Sequence, residues 1–359
     1  MKIFKIIVIT VLVLTVVTVI GLFIFLKTLD INHFKAKITE QISNALGRDV
    51  GIRHMAFTLS LRKGLALSID GLSIKDDPAF SNENFFEVEH VFLGVNVLSF
   101  LKSKQISVSG IQIRSPKVIL IRNEEGEWNV QKFEKRSSSP HPETSSQPAG
   151  SSDEDKGSVL YKLPVLLINS LIMENGMLVY VDRFLQPAVK AEVSQVDLKI
   201  LNFSLLHPAD LLIAAAVFSD QQNFKATGKV QIDPRNHQGR LDDAKIHFDL
   251  GQVSLDRLAM VSSSLKILDM VETLKGVFQA EIAPMIVGAE GISVLTAKGQ
   301  LSDGSVKLAD FTRPIDNIRM AFEATESDCN INNFSLSAGG GSITGSGRIS
   351  DYLKKQAYS

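Results

Sequence analysis

An uninterrupted apolar run lies near the start of the chain, over residues 6–26, and contains no charged side chain. As a helix rising 1.5 Å per residue, it matches the roughly 30 Å hydrocarbon core of a bilayer. A cleaved signal peptide has a shorter apolar region and a small-x-small cleavage site, which this run lacks. The pattern therefore predicts one retained transmembrane helix. Lys2 and Lys5 precede it, whereas Asp30 offsets Lys27 after it, so we expect the N-terminus in the cytoplasm.

The next segment, residues 32–46, carries apolar side chains at the spacing of an amphipathic helix. Gly47 follows it, at a position where helices often end. The polar face carries Glu40 beside its lysines rather than a purely cationic stripe. This favours packing on the following domain over binding at a membrane surface.

From residue 51 to residue 133 the apolar positions alternate with a period of two, which predicts β-strands. The alternation slips by one residue at Asp70 and Gly71, and again at Gly110. Such a slip indicates a turn or a bulge. We expect residues 65–74 to form a pair of short strands.

A polar segment divides the exported part of the chain in two. Residues 136–158 contain eight Ser and three Pro but one apolar side chain, Ala149. Because this segment buries too little surface to offset the entropy of ordering, we interpret it as a disordered linker. The predicted organisation is a cytoplasmic tip and membrane anchor (1–27), an α+β domain (28–135), the linker, and a β-rich repeat region (159–359).

The region after the linker again predicts short strands, interrupted by one helix over residues 255–275. The predicted strands are residues 177–181, 193–203, 226–232, 244–250, 276–282, 305–309, 317–324 and 330–337. Glycine is dense over residues 338–347, where we assign it to tight turns. A further strand begins at residue 348 and soon stops, so we expect the sequence to be a piece of a longer chain.

The charge and composition of the chain exclude several classes of function. The chain has 38 Lys+Arg against 39 Asp+Glu and lacks the clustered cations that nucleic-acid binding requires. Its one cysteine, Cys329, cannot form an intramolecular disulfide or supply a Cys-based metal site. The histidines lack zinc-site spacing, and the phosphate-loop, dinucleotide and nucleophile-elbow motifs are absent. We therefore expect no enzyme, no cofactor, no metal and no nucleic-acid partner.

The strand pattern predicts a long array with one apolar face. If that face meets a second sheet, it becomes the core of a closed sandwich. If a single curved sheet leaves it open, its side chains line a trough for acyl chains. The sequence leaves both alternatives open. The candidate lining residues are Leu65, Leu67, Ile69, Ile106, Val108, Val118, Leu120, Val196, Leu198 and Ile200.

Several short motifs occur in a fixed order after the predicted anchor and helix. They are Leu46-Gly47-Arg48, then Ser115-Pro116-Lys117-Val118 leading to Arg122-Asn123, then Gly126 and Trp128-Asn129. This order resembles the N-terminal domain of the AsmA family. The family has Asn before Trp, and the two residues are transposed here. Residues 175–182 and 339–349 resemble the repeating β units of the family.

The resemblance implies a mainly β protein with few helices, built as an elongated, curved antiparallel sheet with a hydrophobic groove. It further implies an inner-membrane protein with its bulk in the periplasm. Its expected function is to move phospholipids toward the outer membrane, with phospholipid and the inner membrane as partners. No catalytic residues of the family exist to carry over. The alternative is a non-enzymatic scaffold or assembly factor for outer-membrane proteins that acts through exposed sheet edges. Outer-membrane assembly proteins are then further expected partners. A tethered β domain without a transport role is a third interpretation.

Overall fold

The computed structural model describes residues 31–60, 64–96, 107–131, 168–203, 207–233, 238–261, 270–282, 284–288, 291–294, 296–325 and 327–350. The predicted membrane anchor at 6–26 and the predicted linker at 136–158 lie outside these residues. Within them, no helix is both long enough and apolar enough to cross a bilayer.

The described residues are mainly β, as predicted. The helices are α1 (Ile31–Leu46) and α2 (Leu255–Val261), and a 3₁₀ turn spans Leu250–Gln252. The strands are β1 (Val50–Ser60), β2 (Gly64–Lys75), β3 (Asn84–Asn96), β4 (Ser107–Arg114), β5 (Lys117–Arg122), β6 (Ile168–Asp182), β7 (Val189–Phe203), β8 (Ala209–Val217), β9 (Phe224–Asp233), β10 (Gln238–Asp249), β11 (Val271–Ile282), β12 (Met285–Gly288), β13 (Gly291–Val294), β14 (Thr296–Leu308), β15 (Ile315–Thr325), β16 (Asp328–Ala338) and β17 (Gly341–Ser350).

These strands form one curved sheet. Most neighbouring strands are antiparallel, but β6 runs parallel to both β4 and β5, with Val108 opposite Ile168 and Val118 opposite Leu178. The predicted purely antiparallel array is therefore wrong, and the sheet is mixed. Parallel neighbours need a long crossover connection, and the chain between β5 and β6 is long enough to supply one. β5 ends at the rim of the sheet opposite to the one at which β6 begins.

Helix α1 lies against β1, at one end of the sheet. Ser43 Oγ accepts a hydrogen bond from the Val50 amide at 3.1 Å, and Lys35 Nζ donates one to the Arg53 carbonyl at 3.1 Å. The predicted amphipathic helix is confirmed, and it packs on the domain as expected. Its contacts occupy backbone groups of the first strand that could otherwise pair with another chain.

The predicted strand pair over residues 65–74 is wrong, because β2 runs unbroken through the slip in the pattern. Gly71 takes a φ of +65°, which only glycine adopts at little cost. The backbone kinks there without turning back, and the pairing with β1 and β3 continues on both sides. The slip in the alternation therefore marks a kink inside one strand.

Two boundaries in the second half of the chain also differ from the prediction. α2 ends at Val261 and β11 already begins at Val271, so the predicted helix over 255–275 is too long. Leu274 pairs with Val306 of β14, which means that tertiary pairing decides its conformation. The glycine-dense segment is also mostly strand β17, and the positive φ angles of a turn occur at Gly339 and Gly340.

Irregular residues in neighbouring strands form two lines across the sheet. The first line contains Gly71, Ser115, Asn175 and Gln195, and the second contains Gly276, Asp303 and Asn317, all with positive φ. Register shifts accompany the lines where β6 meets β7 and where β14 meets β11 and β15. At these lines the alternation shifts by one and the strands bend, and where the register also shifts, a bulge inserts a residue. Apolar side chains before and after each line consequently project from the same face.

Candidate functional site

One row of directly opposed residues crosses fourteen strands and contains only apolar side chains and glycine. This central row consists of Met55, Ile69, Val91, Ile113, Met173, Leu198, Ile213, Ala226, Ile246, Ala280, Gly299, Phe322, Ile331 and Gly347. Opposed residues in neighbouring strands project from the same face. At about 4.8 Å between strands, the row forms a continuous apolar strip of roughly 60 Å.

Further apolar rows flank the central row and widen this strip into an apolar face. One flanking row contains Phe57, Leu67, Leu93, Ile111, Leu171, Ile200 and Leu211. Another lies beyond the first line of bulges and contains Val50, Ile74, Phe86, Val118, Leu178, Val193 and Val217. The bulges shift the alternation between the central row and this row, so the residues of both rows lie on one face.

Part of the apolar face is accessible to solvent. Met55 is 1% exposed and Ala280 is 8% exposed, but Leu178 is 37% exposed, and Ile343 and Ile349 of β17 are 59% and 52% exposed. In a sandwich the inward side chains pack against a second sheet. The described strands form one sheet, and its apolar face lacks such a covering layer among the described residues. The described residues therefore favour an open face, and the groove stays a prediction.

The opposite face carries charges in alternation. Lys245, Glu281, Lys298 and Glu323 are opposed in successive strands β10, β11, β14 and β15. Lys245 Nζ lies 3.3 Å from Glu281 Oε1, and Lys298 Nζ lies 3.0 Å from Glu323 Oε1. All four side chains are more than half exposed. Across these four strands the two faces differ sharply in chemistry, whereas the opposite face of β5 and β6 carries the buried Ile121 and Val179. The continuous apolar face is therefore the candidate site.

The structure brings nine of the ten residues predicted to line a groove onto the apolar face. They are Leu65, Leu67, Ile69, Val108, Val118, Leu120, Val196, Leu198 and Ile200, placed there by their cross-strand partners. Ile106 lies outside the described residues. That these side chains bind lipid stays a prediction.

Sequence reasoning missed the aromatic part of this face, in strands β9 to β15. Phe224 and Phe248 contact edge to face at 6.2 Å, and Phe278 and Phe322 stack at 6.3 Å between ring centroids. The Phe322 ring lies over Gly299, where an added Cβ would come within 2.4 Å of it. Period-two alternation in these strands was the signal that could have identified these four phenylalanines.

The motif residues Arg48 and Asn129 meet in a buried polar cluster with Asp76. Arg48 Nη1 donates to Asp76 Oδ1 at 2.8 Å, and its Nη2 donates to the Asn129 carbonyl. Asn129 Nδ2 donates to Asp76 Oδ2 at 2.8 Å, while its Oδ1 accepts from the Ile121 amide at 3.0 Å. Asn129 is fully buried. The cluster joins the end of α1, the loop after β2 and the segment after β5.

A second cluster lies at the rim where β5 and β6 end. Arg122 Cζ stands 4.2 Å above the centroid of Phe184 and 6.0 Å from that of Trp128. Trp128 in turn stacks on Tyr180 at 5.6 Å. Arg122 Nη1 lies 3.6 Å from Asp182 Oδ2. These five side chains, which we call the rim cluster, surround one guanidinium with three aromatic rings and a carboxylate.

The carboxylate of Asp182 is buried and heavily hydrogen-bonded. Burial acts to raise its pKa, but hydrogen bonds from the Tyr180 hydroxyl and the amides of Phe184 and Leu185, together with the charge of Arg122, outweigh it. The pKa of Asp182 therefore lies below its ordinary value. Burial, the hydrogen bond to Asp182 and the negative charge of Asp182 raise the pKa of Tyr180.

An extended mixed β-sheet with one continuous apolar face defines the class of protein. Its family follows from comparison with known families. The AsmA family model matches residues 1–312, and the chain belongs to this family. A search among curated proteins gave no match. Family membership and the large sheet fit a role in lipid transport or in the cell envelope.

Proposed function

We propose that this protein binds phospholipid acyl chains along its apolar face and transfers phospholipids toward the outer membrane from an anchor in the inner membrane. The central row carries this proposal, because it continues from β1 to β17 without a charged or polar side chain. Burying hydrocarbon is favourable by about 0.8 kcal/mol per CH₂ group. Burial of the acyl chains can therefore supply the free energy of binding, and this function requires no catalytic group.

The geometry of the sheet suits this task. Backbone groups pair within the sheet, so the acyl chains meet side chains and not unpaired amides. Because the strip is continuous, a lipid can move along it without returning to water. We place the bulk of the protein in the periplasm, with the predicted helix at residues 6–26 in the inner membrane.

The test compares glutamate substitutions on the two faces of β7. Leu198→Glu places a charge in the central row, whereas Lys199→Glu changes the next residue, which is exposed on the opposite face. Burying an unpaired carboxylate against hydrocarbon is costly. Phospholipid that co-purifies with the full chain, counted by native mass spectrometry, should fall several-fold in Leu198→Glu and stay at the wild-type amount in Lys199→Glu. Circular dichroism confirms folding. A folded Leu198→Glu variant that co-purifies with as much phospholipid as wild type would contradict the proposal.

Strand β17 favours a second candidate function, assembly of outer-membrane proteins by strand addition. All ten of its residues are exposed. Such an edge offers backbone groups to an incoming strand. A photo-crosslinker at Ser346 should then capture an unfolded outer-membrane barrel protein, while the same group at the exposed loop residue Asp310 should not. Equal capture at both positions would contradict strand addition.

A further inference from the structure

Arg122 borders both the apolar face and solvent. It is the last residue of β5 and lies opposite Asp182, in the same phase as Leu120 and Val118 of the apolar face. Its side chain is 29% exposed. An anion that approaches this guanidinium from solvent therefore has hydrocarbon-binding side chains directly beside it.

The rim cluster holds this guanidinium in a fixed position. Arg122 Nε donates a hydrogen bond to the Gly126 carbonyl at 3.3 Å. The Phe184 ring lies 4.2 Å below Cζ, and Trp128 is fixed by its stacking on Tyr180. A planar guanidinium that is already ordered loses little further freedom when it binds a planar or tetrahedral oxyanion.

The Nη1 and Nη2 groups of Arg122 make no hydrogen bond to a described residue, although Nη1 forms an ion pair with Asp182. Among the described residues, no protein acceptor lies within hydrogen-bond distance of its Nη1 and Nη2 groups, since Asp182 Oδ2 is 3.6 Å away. The Asp182 carboxylate is occupied by the Tyr180 hydroxyl at 2.5 Å and the Phe184 amide at 3.0 Å. Two adjacent N–H donors of a guanidinium match two oxygens of a phosphate.

We infer that Arg122 binds the phosphate of a phospholipid whose acyl chains lie on the apolar face. This inference rests on the proposed function, and it assigns the headgroup to the rim and the acyl chains to the strand interior. Glu124 and Glu125 in the adjoining turn are exposed, so solvent screens their repulsion of the phosphate. Inorganic phosphate offers the same oxyanion, and the experiment separates the two sources.

The experiment gives the full chain, in detergent, an equimolar mixture of dioleoylphosphatidylglycerol and dioleoylglycerol. These lipids share acyl chains, but only the first has a phosphate. Native mass spectrometry measures the preference for the phospholipid. Losing charge-assisted hydrogen bonds in Arg122→Gln should reduce that preference about 10-fold. Arg122→Lys, which keeps the charge, should retain part of it. Arg114→Gln is the matched control, because Arg114 lies on the opposite face with a side chain 60% exposed.

An unchanged preference in a folded Arg122→Gln variant would overturn the inference, as would an equal loss of both lipids. If wild type binds neither lipid, the proposed function fails, and a titration with inorganic phosphate then decides the Arg122 site. Trp128, the single tryptophan of the chain, reports on the site by its emission. A response to phosphate in wild type that disappears in Arg122→Gln supports a site for free phosphate, and no response in wild type overturns it.

Discussion

Asp182 fixes the end of β6 through interactions in three directions. Its carboxylate accepts from the Tyr180 side chain, accepts from the Phe184 amide that starts the following loop, and faces Arg122 of the neighbouring strand. Its side chain is 3% exposed. Hydrogen bonds to a buried charged group each contribute about 1.5–3 kcal/mol. The rim cluster therefore depends on this one carboxylate being ionised.

The pH dependence of stability should reveal this role. Because the folded-state pKa of Asp182 lies below 3.8, its contribution is present above about pH 4 and is lost as the pH falls through the folded-state value. We expect Asp182→Asn to lower the free energy of unfolding by about 1–3 kcal/mol at pH 7. The difference from wild type should shrink by pH 3. Urea unfolding at the two pH values measures it, with the exposed Asp310→Asn as control. A difference of equal size at both pH values would contradict this role.

Residue contacts at long sequence separation were the least predictable part of the site. Arg48 and Asn129 were identified as motif positions, but their contact spans 81 residues. The local periodicity of the sequence does not predict which buried amide contacts which guanidinium. Arg122 was likewise assigned to a motif, and its phenylalanine neighbour Phe184 lies across a strand pair. The apolar residues of the site were predictable because alternation places them on a face one strand at a time.

At the scale of the strands, bulges decide which residues lie on the apolar face. In a regular strand, every second residue points to the same face. In these strands the alternation shifts by one residue at the bulge, so apolar residues before and after it still lie on one face. Gly71 holds this position in β2 with a φ of +65°, and a Cβ there would lie 2.9 Å from Arg53 Cβ. The kink thus needs a residue without a side chain.

Substitution at Gly71 should therefore destabilise the domain more than an ordinary glycine substitution. Gly71→Ala should lower the free energy of unfolding by about 1–3 kcal/mol, since it adds a left-handed backbone penalty and a clash. Gly239→Ala is the matched control, because a Cβ added there would have no atom within 4 Å and its φ is ordinary. Chemical denaturation of both variants measures the difference. Equal stabilities would show that the kink tolerates a side chain.

The errors in element assignment have one physical origin. The segment after α2 carries leucines at a spacing compatible with a helix, yet β14 supplies a strand partner and Leu274 pairs with Val306. The segment of β17 is rich in glycine, yet β16 supplies partners along its length. In both segments, pairing with a neighbouring strand decided the conformation against the preference of the local sequence, because β-propensity depends strongly on context. Elements whose own periodicity was strong, such as α1 and β7, were predicted correctly in type and nearly in extent.

Among the described residues, the sheet leaves part of one apolar face accessible to solvent. A fluorescent hydrophobic dye should therefore bind the native protein, whereas such dyes ordinarily report loosened states. Ile246→Glu, in the central row, should reduce the dye signal, and His247→Glu, on the opposite face of the same strand, should leave it unchanged. Near-ultraviolet circular dichroism monitors tertiary structure. A wild-type protein that fails to bind the dye while natively folded would show that the face is covered.

The apolar character of the central row has a consequence for the direction of the proposed transport. A hydrocarbon chain lying on it would meet only apolar side chains and glycine, from Met55 in β1 to Gly347 in β17. The paired charges Lys245–Glu281 and Lys298–Glu323 behind the row cancel and impose little net field along it. A passive path sets no direction of its own, because net flow over any free-energy profile follows the difference in chemical potential between its ends. If the protein transfers lipid as proposed, the membranes, and not the protein, set which way lipid flows.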